Sequence, residues 1–157
     1  MRQLILLRHA HAEPAEAGQD DRDRGLSDTG RAEAEAAGAW LRAHAIVPDR
    51  VLYSNAARTK ETFTALGDVG GAPSREDAAI YEASPGTLAA LADANRDSER
   101  LLLVGHNPGL EQLAALMHSG QTGDYRGMPP AGIAVLDLPI DAAIEPGIAT
   151  LTQFWWP

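Results

Sequence analysis

The stretch Leu4-Ile5-Leu6-Leu7-Arg8-His9-Ala10 decides the fold of this 157-residue chain. Four consecutive aliphatic residues without polar alternation predict a strand that is buried on both faces, as in a parallel sheet covered by helices. Such sheets bind ligands in the crevice beyond the carboxyl ends of their strands. The strand therefore carries a guanidinium and an imidazole, Arg8 and His9, to the place where an α/β protein keeps its ligand site.

A second aliphatic run, Leu101-Leu102-Leu103-Val104, is followed by Gly105-His106 and repeats the transition from strand to histidine. Between the two runs, Val51-Leu52-Tyr53-Ser54 predicts a shorter strand, and Arg58 follows near the start of a helix. If the three strands are parallel, their carboxyl ends meet at one edge of the sheet. We therefore expect two arginines and two histidines to share one pocket.

Strands and helices alternate along the rest of the chain. Ser27 or Asp28 is a predicted N-cap for a helix that runs to about His44, and Ser84-Pro85 predicts another helix start. Further strands are predicted at 79–81, 133–138 and 148–155, the last two as a pair at a sheet edge. This order predicts an α/β fold of three layers, helix-sheet-helix, around a mostly parallel central sheet. Helical spacing predicts that the first helix buries one stripe of side chains: Ala32, Ala36, Trp40 and Ala43.

The composition predicts one domain over residues 1–157, with 45% hydrophobic and 22% charged residues. No apolar run approaches the roughly 20 residues of a membrane span, and the N-terminal run is too short for a signal peptide. Together with the absence of cysteine, this favours the cytoplasm. A net charge of −9 argues against binding to nucleic acid or to an anionic membrane. An anionic ligand would need a few deliberately placed cations.

The expected pocket chemistry suits a phosphoryl group. Arginine presents a planar fork that matches phosphate oxygens, and helix N-termini add N–H donors. A neutral imidazole beside a clamped phosphoryl group can attack phosphorus, and like-charge repulsion from Arg8 and Arg58 would keep His9 neutral. His106 would then donate to a phosphoryl oxygen as charge develops. His9 and His11 lack a third metal ligand and neighbouring arginines repel a dication, so we expect no metal and no other cofactor.

Four motifs follow one another along the chain: Leu7-Arg8-His9-Ala10, Asp21-Arg22-Asp23-Arg24-Gly25-Leu26-Ser27-Asp28-Thr29-Gly30, Ser54-Asn55-Ala56-Ala57-Arg58-Thr59-Lys60-Glu61-Thr62 and Val104-Gly105-His106-Asn107. They resemble the signatures of the histidine phosphatase superfamily, whose fold is called phosphoglycerate mutase-like. The resemblance implies that His9 is the nucleophile that becomes phosphorylated, that Arg8 and Arg58 clamp the phosphate, and that His106 is the second pocket histidine.

Many members of this family add a carboxylate that protonates the leaving group, and Glu82 is the candidate here. A solvated carboxylate at the entry of a helix is an equal alternative for Glu82. Asn107, directly after His106, is a candidate substrate-binding residue. The chain departs from the family pattern at Ala10, where glycine is usual, and at Asn55, where proline is common. Ala10 narrows the permitted geometry of the loop, because glycine tolerates positive φ.

The short chain lacks the long insertions that cover the pocket in mutases and larger phosphatases, and it resembles the small SixA-type phosphohistidine phosphatases. An open pocket suits a phosphorylated side chain on another protein. We therefore predict a phosphatase with a covalent phosphohistidine intermediate that acts on phosphohistidine in a protein. The alternatives are a phosphomonoesterase for a sugar or nucleotide phosphate, and a phosphate-binding module without turnover. The Gly/Pro-rich loop 120–132 either lines the pocket mouth or is an exposed connection, the commoner case.

Overall fold

The computed structural model describes residues 1–157 and is built around a six-stranded sheet with strand order β3-β2-β4-β1-β5-β6. The first four strands are parallel, β5 is antiparallel to β1, and β6 is antiparallel to β5. No helix is both long enough and apolar enough to span a membrane. The strands are β1 Gln3–Arg8, β2 Arg50–Tyr53, β3 Ser74–Glu76, β4 Arg100–Gly105, β5 Ile133–Asp137 and β6 Thr150–Trp155, and the helices are α1 Asp28–Ala43, α2 Ala57–Ala65, α3 Pro85–Ala94 and α4 Gly109–Ser119.

Alternate residues of the central strands are buried in two separate cores. Leu4 and Leu6 of β1 contact the core formed with α3 and α4, whereas Ile5 and Leu7 contact the core formed with α1 and α2. All four side chains are fully buried. Burial of such a side chain contributes roughly 1.5–3 kcal/mol, so an aliphatic run without polar residues is stable only between two helical layers. The predicted three-layer α/β fold with a mostly parallel sheet is confirmed.

The register of the sheet brings the ends of β1 and β4 side by side. Arg8 pairs with Gly105 across β1 and β4, and Tyr53 of β2 pairs with Val104 on the other side of β4. The residues that follow these strands, His9 and His106, therefore leave the sheet at the same edge. Their convergence, expected from the sequence, follows from the parallel pairing.

The prediction of which side chains α1 buries is wrong. Ala32 and Ala43 are exposed, and Ala36 and Trp40 are half-buried. The helix instead buries a stripe rotated around its axis, made of Gly30, Ala34, Ala37, Gly38 and Leu41. A side chain on Gly30 or Gly38 would overlap the backbone carbonyl of His11 or Leu66. The two glycines thus let the helix approach the loop after β1 and the end of α2, and this close approach fixes which face is buried.

The strand predicted at 79–81 is also wrong, because Ala78–Ile80 form a single 3-10 turn. The strand of this region is β3, Ser74–Glu76, an exposed edge strand of polar residues. Asp77 caps the turn by accepting from the N–H of Ala79 at 2.9 Å, which directs the buried side chain of Ile80 against the sheet. The start of α3 at Ser84-Pro85 and the final edge pair of strands are confirmed.

Candidate active site

A cleft of about 570 Å³ opens at the carboxyl edge of the parallel strands. Its walls come from the ends of β1 and β4, from the start of α2 and from the segments that enter α3 and α4. All six side chains predicted for the site line this cleft: Arg8, His9, Arg58, Glu82, His106 and Asn107. Arg24, a third arginine, lines it as well. In a chain with a net charge of −9, three guanidinium groups at one cleft make a local site for an anion.

The ring of His9 is held by a hydrogen bond that fixes its tautomer. Nδ1 of His9 lies 2.7 Å from the carbonyl oxygen of Ala10. A carbonyl only accepts, so Nδ1 carries the proton and Nε2 keeps its lone pair. Burial, together with the positive charges of Arg58, Arg8 and Arg24, lowers the pKa of His9 to about 4. The expected neutral imidazole is present, although burial lowers its pKa more than the arginines do.

His106 faces His9, with 5.3 Å between the ring centroids. Its Nε2 lies 2.7 Å from the hydroxyl of the buried Ser54, while its Nδ1 has no partner in the protein. Burial and the neighbouring His9 and Arg58 lower the pKa of His106 to about 3. Both rings are therefore neutral near pH 7, and one nitrogen of each ring has no hydrogen bond within the protein.

The carbonyl oxygen of Met128 connects the loop 120–132 to the cleft. It accepts from Nη1 of Arg8 and from Nδ2 of Asn107, each at 2.9 Å. Nδ2 of Asn107 also donates to Glu111 at 3.2 Å, so both of its N–H groups are engaged within the protein. Asn107 therefore joins α4 to the loop, and its role in binding substrate stays a prediction. Met128 is buried and Tyr125 is 49% exposed. No residue of the loop is among those that line the cleft, so a role for the loop at the pocket mouth stays a prediction.

Asp21 organises the other arginines of the cleft, and sequence reasoning gave it no role. Its backbone oxygen accepts from Nη1 of Arg58 at 2.8 Å and its Oδ2 accepts from Nη2 at 3.0 Å. Its Oδ1 accepts from Arg24 at 3.0 Å, and the Tyr81 hydroxyl also donates to Oδ2. The hydrogen bond from Tyr81, followed by those from the arginines, holds the pKa of Asp21 far below its usual range. The carboxylate fixes the orientation of two guanidinium groups and leaves their other donors for an oxyanion.

The spacing of four residues between Ser54, Arg58 and Thr62 has a structural reason. Arg58 and Thr62 lie one turn apart on α2 and Ser54 lies in the segment between β2 and α2, and each of the three holds a different part of the site. Ser54 contacts His106, Arg58 contacts Asp21, and the Thr62 hydroxyl accepts from the N–H of Ala10 at 3.0 Å. The helix thereby connects the ends of β1 and β4. This signal was present in the sequence, but only the arginine was assigned from it.

Glu82 lies at the rim of the cleft in a left-handed backbone conformation, with φ of +54°. This conformation costs an ordinary L-residue roughly 1–3 kcal/mol and is concentrated at functional sites. The Glu82 side chain is exposed. Its position agrees with a leaving-group acid and with a solvated carboxylate alike.

Ala10 replaces the family's usual glycine without strain. Its φ is not positive and its methyl group is fully buried in the core beneath α1 and α2. Its N–H donates to Thr62 and its carbonyl accepts from His9. The loop therefore accommodates the methyl group in an ordinary conformation. At the other departure, the half-buried Asn55 has an unpartnered Oδ1.

Comparison with known proteins agrees with this geometry. The sequence model of the histidine phosphatase superfamily (branch 1) matches residues 4–100. An uncharacterised protein of Mycobacterium tuberculosis is 36% identical over 96% of this chain and 99% of its own length. The candidate phosphohistidine phosphatase SixA of Agrobacterium tumefaciens superposes with a TM-score of 0.85, 33% identity and coverage of 99% and 98% of the two chains. A SixA candidate from Nakamurella multipartita is similar to the same degree, with a TM-score of 0.85, 31% identity and coverage of 99% and 96%.

Proposed function

This chain belongs to the histidine phosphatase superfamily, and on that premise we propose that it is a phosphatase that takes a phosphoryl group from phosphohistidine in a protein and passes it through His9. One observation carries the proposal. The His9 imidazole is neutral, its Nδ1 proton is engaged by Ala10, and its Nε2 lone pair is free in a cleft that Arg8 and Arg58 also line. A phosphate-binding module would need the arginines but would not need this histidine.

The reaction has two displacements at phosphorus. Nε2 of His9 forms a bond to phosphorus, the bond from phosphorus to the substrate imidazole breaks, and the electron pair returns to the departing ring, which takes a proton from solvent and leaves as neutral imidazole. Water then attacks phospho-His9, the bond from phosphorus to Nε2 breaks, and inorganic phosphate leaves as the water loses a proton to solvent. Arg8 and Arg58 hold the phosphoryl oxygens in both steps, and the neutral His106 donates to one of them.

The shape of the cleft supports a protein as substrate. The cleft is open, and apart from Ala83, Gly109 and two prolines its lining residues are polar or charged. No large apolar side chain lines it to hold the body of a small ester, so recognition falls to the phosphoryl group and to surfaces outside the cleft. A phosphorylated histidine on another protein brings such surfaces with it. Its imidazole also leaves more readily than an alkoxide, so it depends less on a general acid.

Glu82 favours the second candidate, a small-molecule phosphomonoesterase. A carboxylate that lines the cleft in a costly backbone conformation would supply the acid that an alkoxide leaving group needs. An enzyme for sugar or nucleotide phosphates would need that acid in every turnover.

A substrate panel combined with Glu82→Gln tests the choice. We expect the wild-type protein to dephosphorylate a phosphohistidine protein with a higher kcat/KM than sugar or nucleotide phosphates. Glu82→Gln should reduce turnover of alkyl esters by about 10²-fold or more, and turnover of phosphohistidine by only a few-fold, because only the alkoxide needs a proton from an acid. An aryl phosphate, with its better leaving group, is the matched control.

The opposite ranking of the substrates by kcat/KM would favour the second candidate function, a small-molecule phosphomonoesterase. If sugar or nucleotide phosphates exceed the phosphohistidine protein in kcat/KM by orders of magnitude, the proposed substrate is wrong. If the wild-type protein turns over none of these substrates, and no phosphoryl group reaches His9, the chain is a binding module.

A further inference from the structure

A polar network behind the cleft connects Ser54 to His106. Ser54 is fully buried, and its Oγ lies 2.7 Å from Nε2 of His106. The other ring nitrogen, Nδ1, is buried without a hydrogen-bond partner in the protein. Because Nε2 is engaged on the protein side, Nδ1 is the nitrogen of this ring that remains for a ligand in the cleft.

The proton of the Ser54 hydroxyl has two candidate acceptors. The Thr59 hydroxyl lies 2.8 Å from the carbonyl oxygens of Ser54 and Ala56, which only accept, so its single proton goes to one of them. The N–H of Ala56 donates to Oγ of Ser54 at 3.2 Å. The Ser54 proton is therefore left to Oγ1 of Thr59, at 2.8 Å, or to Nε2 of His106.

The two choices give His106 opposite properties. If Ser54 donates to Thr59, Nε2 of His106 must carry the ring proton, and Nδ1 presents a lone pair. If Ser54 donates to Nε2, the proton lies on Nδ1, which becomes a donor. A phosphoryl dianion offers only acceptor oxygens, so the first state repels it and the second binds it.

We propose that the Ser54 hydroxyl sets the tautomer of His106, so that Nδ1–H donates to the phosphoryl group during transfer. Ser54 is thus a positioning residue that acts through His106, and Thr59 competes for its proton. This inference rests on the proposed function, because that function supplies the phosphoryl oxygen opposite Nδ1. Arrival of the substrate selects the binding tautomer from the two that the network allows.

A pair of variants with opposite expected effects tests the proposal. Ser54→Ala removes the donor to Nε2, whereas Thr59→Val removes the competing acceptor at nearly the same volume. Burial lowers the pKa of His106 to about 3, so the ring is neutral at pH 7 and nitrogen-15 NMR can report which ring nitrogen is protonated. Spectra are recorded with and without saturating inorganic phosphate, for the wild type and both variants.

We expect Ser54→Ala to lower the fraction of His106 that is protonated at Nδ1 and Thr59→Val to raise it. Turnover should fall roughly tenfold to a hundredfold in Ser54→Ala, the range expected when a buried acceptor loses its donor. Thr59→Val should keep most of its turnover. Thr64→Val is the matched control, because Thr64 also donates to a backbone carbonyl of α2, that of Lys60, but is exposed and has no hydrogen bond to Ser54, Thr59 or His106.

The proposal would be overturned if the wild type, Ser54→Ala and Thr59→Val had equal fractions of His106 protonated at Nδ1. Equal losses of turnover in Ser54→Ala and Thr59→Val would also overturn it, because a purely structural role predicts similar losses from two buried hydroxyls. Failure of the proposed function is a separate result: a wild-type protein that never carries phosphate on His9 is not this phosphatase. The tautomer fractions still decide the role of Ser54 in that case.

Discussion

The ends of β1 and β4 look alike in sequence but bind their histidines differently. Each is an aliphatic strand that leads into a histidine, and the two rings lie 5.3 Å apart. Nδ1 of His9 is bonded to the carbonyl of Ala10, which only accepts, whereas Nε2 of His106 is bonded to the hydroxyl of Ser54, which can donate or accept. The first bond fixes one tautomer, while the second leaves a choice.

The difference teaches that hydrogen-bond partners suit two similar histidines to the different roles proposed for them. A fixed Nδ1–H gives His9 a permanent lone pair on Nε2, which a nucleophile needs. An adjustable partner gives His106 the ability to present a proton, which a donor to the phosphoryl group needs. Burial and the surrounding arginines act on both rings alike, since both pKa values are lowered.

Replacing each histidine by glutamine should separate the two roles most strongly. His9→Gln removes the proposed nucleophile, so we expect turnover to fall by about 10⁴-fold or more. His106→Gln leaves the proposed nucleophile and retains an amide donor, so we expect a smaller loss, about 10²- to 10³-fold, as for the removal of one donor to a developing charge. Steady-state rates and acid-labile, base-stable phosphate on the protein measure both effects.

The acid-labile phosphate on the protein is the measurement that separates His9→Gln from His106→Gln most clearly. His106→Gln should still accumulate phosphate on His9, more slowly than the wild type, whereas His9→Gln should accumulate none. Phosphate retained by His9→Gln would place the nucleophile on the other strand end and reverse the assignment.

Acid should destabilise the unliganded protein through both histidines. In the folded protein the pKa values of His9 and His106 are about 4 and about 3, below the ordinary value of 6.5. At a pH between the folded and the ordinary values, the unfolded chain therefore binds more protons than the folded protein. This contribution to stability is complete above pH 6.5 and is lost as the pH falls toward the folded values. Between pH 7 and pH 5 each ring should remove roughly 2 kcal/mol from the free energy of unfolding, measured with urea in phosphate-free buffer.

The double variant His9→Gln/His106→Gln should show a correspondingly flatter pH dependence over this range. His44→Gln is the control, because the His44 side chain is exposed and lies outside the cleft. A double variant with the same slope as the wild type would mean that the two rings titrate in the folded cleft as they do in the unfolded chain.

Ala10→Gly should have the smallest effect on activity. Ala10 has an ordinary φ and a fully buried methyl group, so glycine adds freedom to the unfolded chain and removes an apolar contact. We expect a loss of about 1–2 kcal/mol in the free energy of unfolding, with kcat within about threefold because the carbonyl that holds His9 remains. A glycine variant that is more stable than the wild type would show that the methyl group strains the loop.

Much of this site was predictable because the strands that end at it can be recognised from a few consecutive residues. An unbroken aliphatic run favours a sheet covered on both faces, and the Ser84 cap with Pro85 in the first turn is a local signal for a helix start. The convergence of Arg8, His9, Arg58 and His106 then follows from parallel pairing. Membership of the histidine phosphatase superfamily was likewise indicated by the motifs, and the family match confirms it.

The sequence by itself thus determined the layers of the fold, the edge that holds the site and the residue types gathered there. Only the tertiary structure decided the strand order, the buried face of α1 and the partners of the site residues. Helix α1 has alanines on the predicted stripe, at Ala32 and Ala36, as well as on the buried one, at Ala34 and Ala37, and close backbone approach at Gly30 and Gly38 chose the buried side. The contacts of Asp21 with Arg58 and of Ser54 with His106 join segments 37 and 52 residues apart. Local preference cannot specify such pairs, because each hydrogen bond depends on how the whole chain packs.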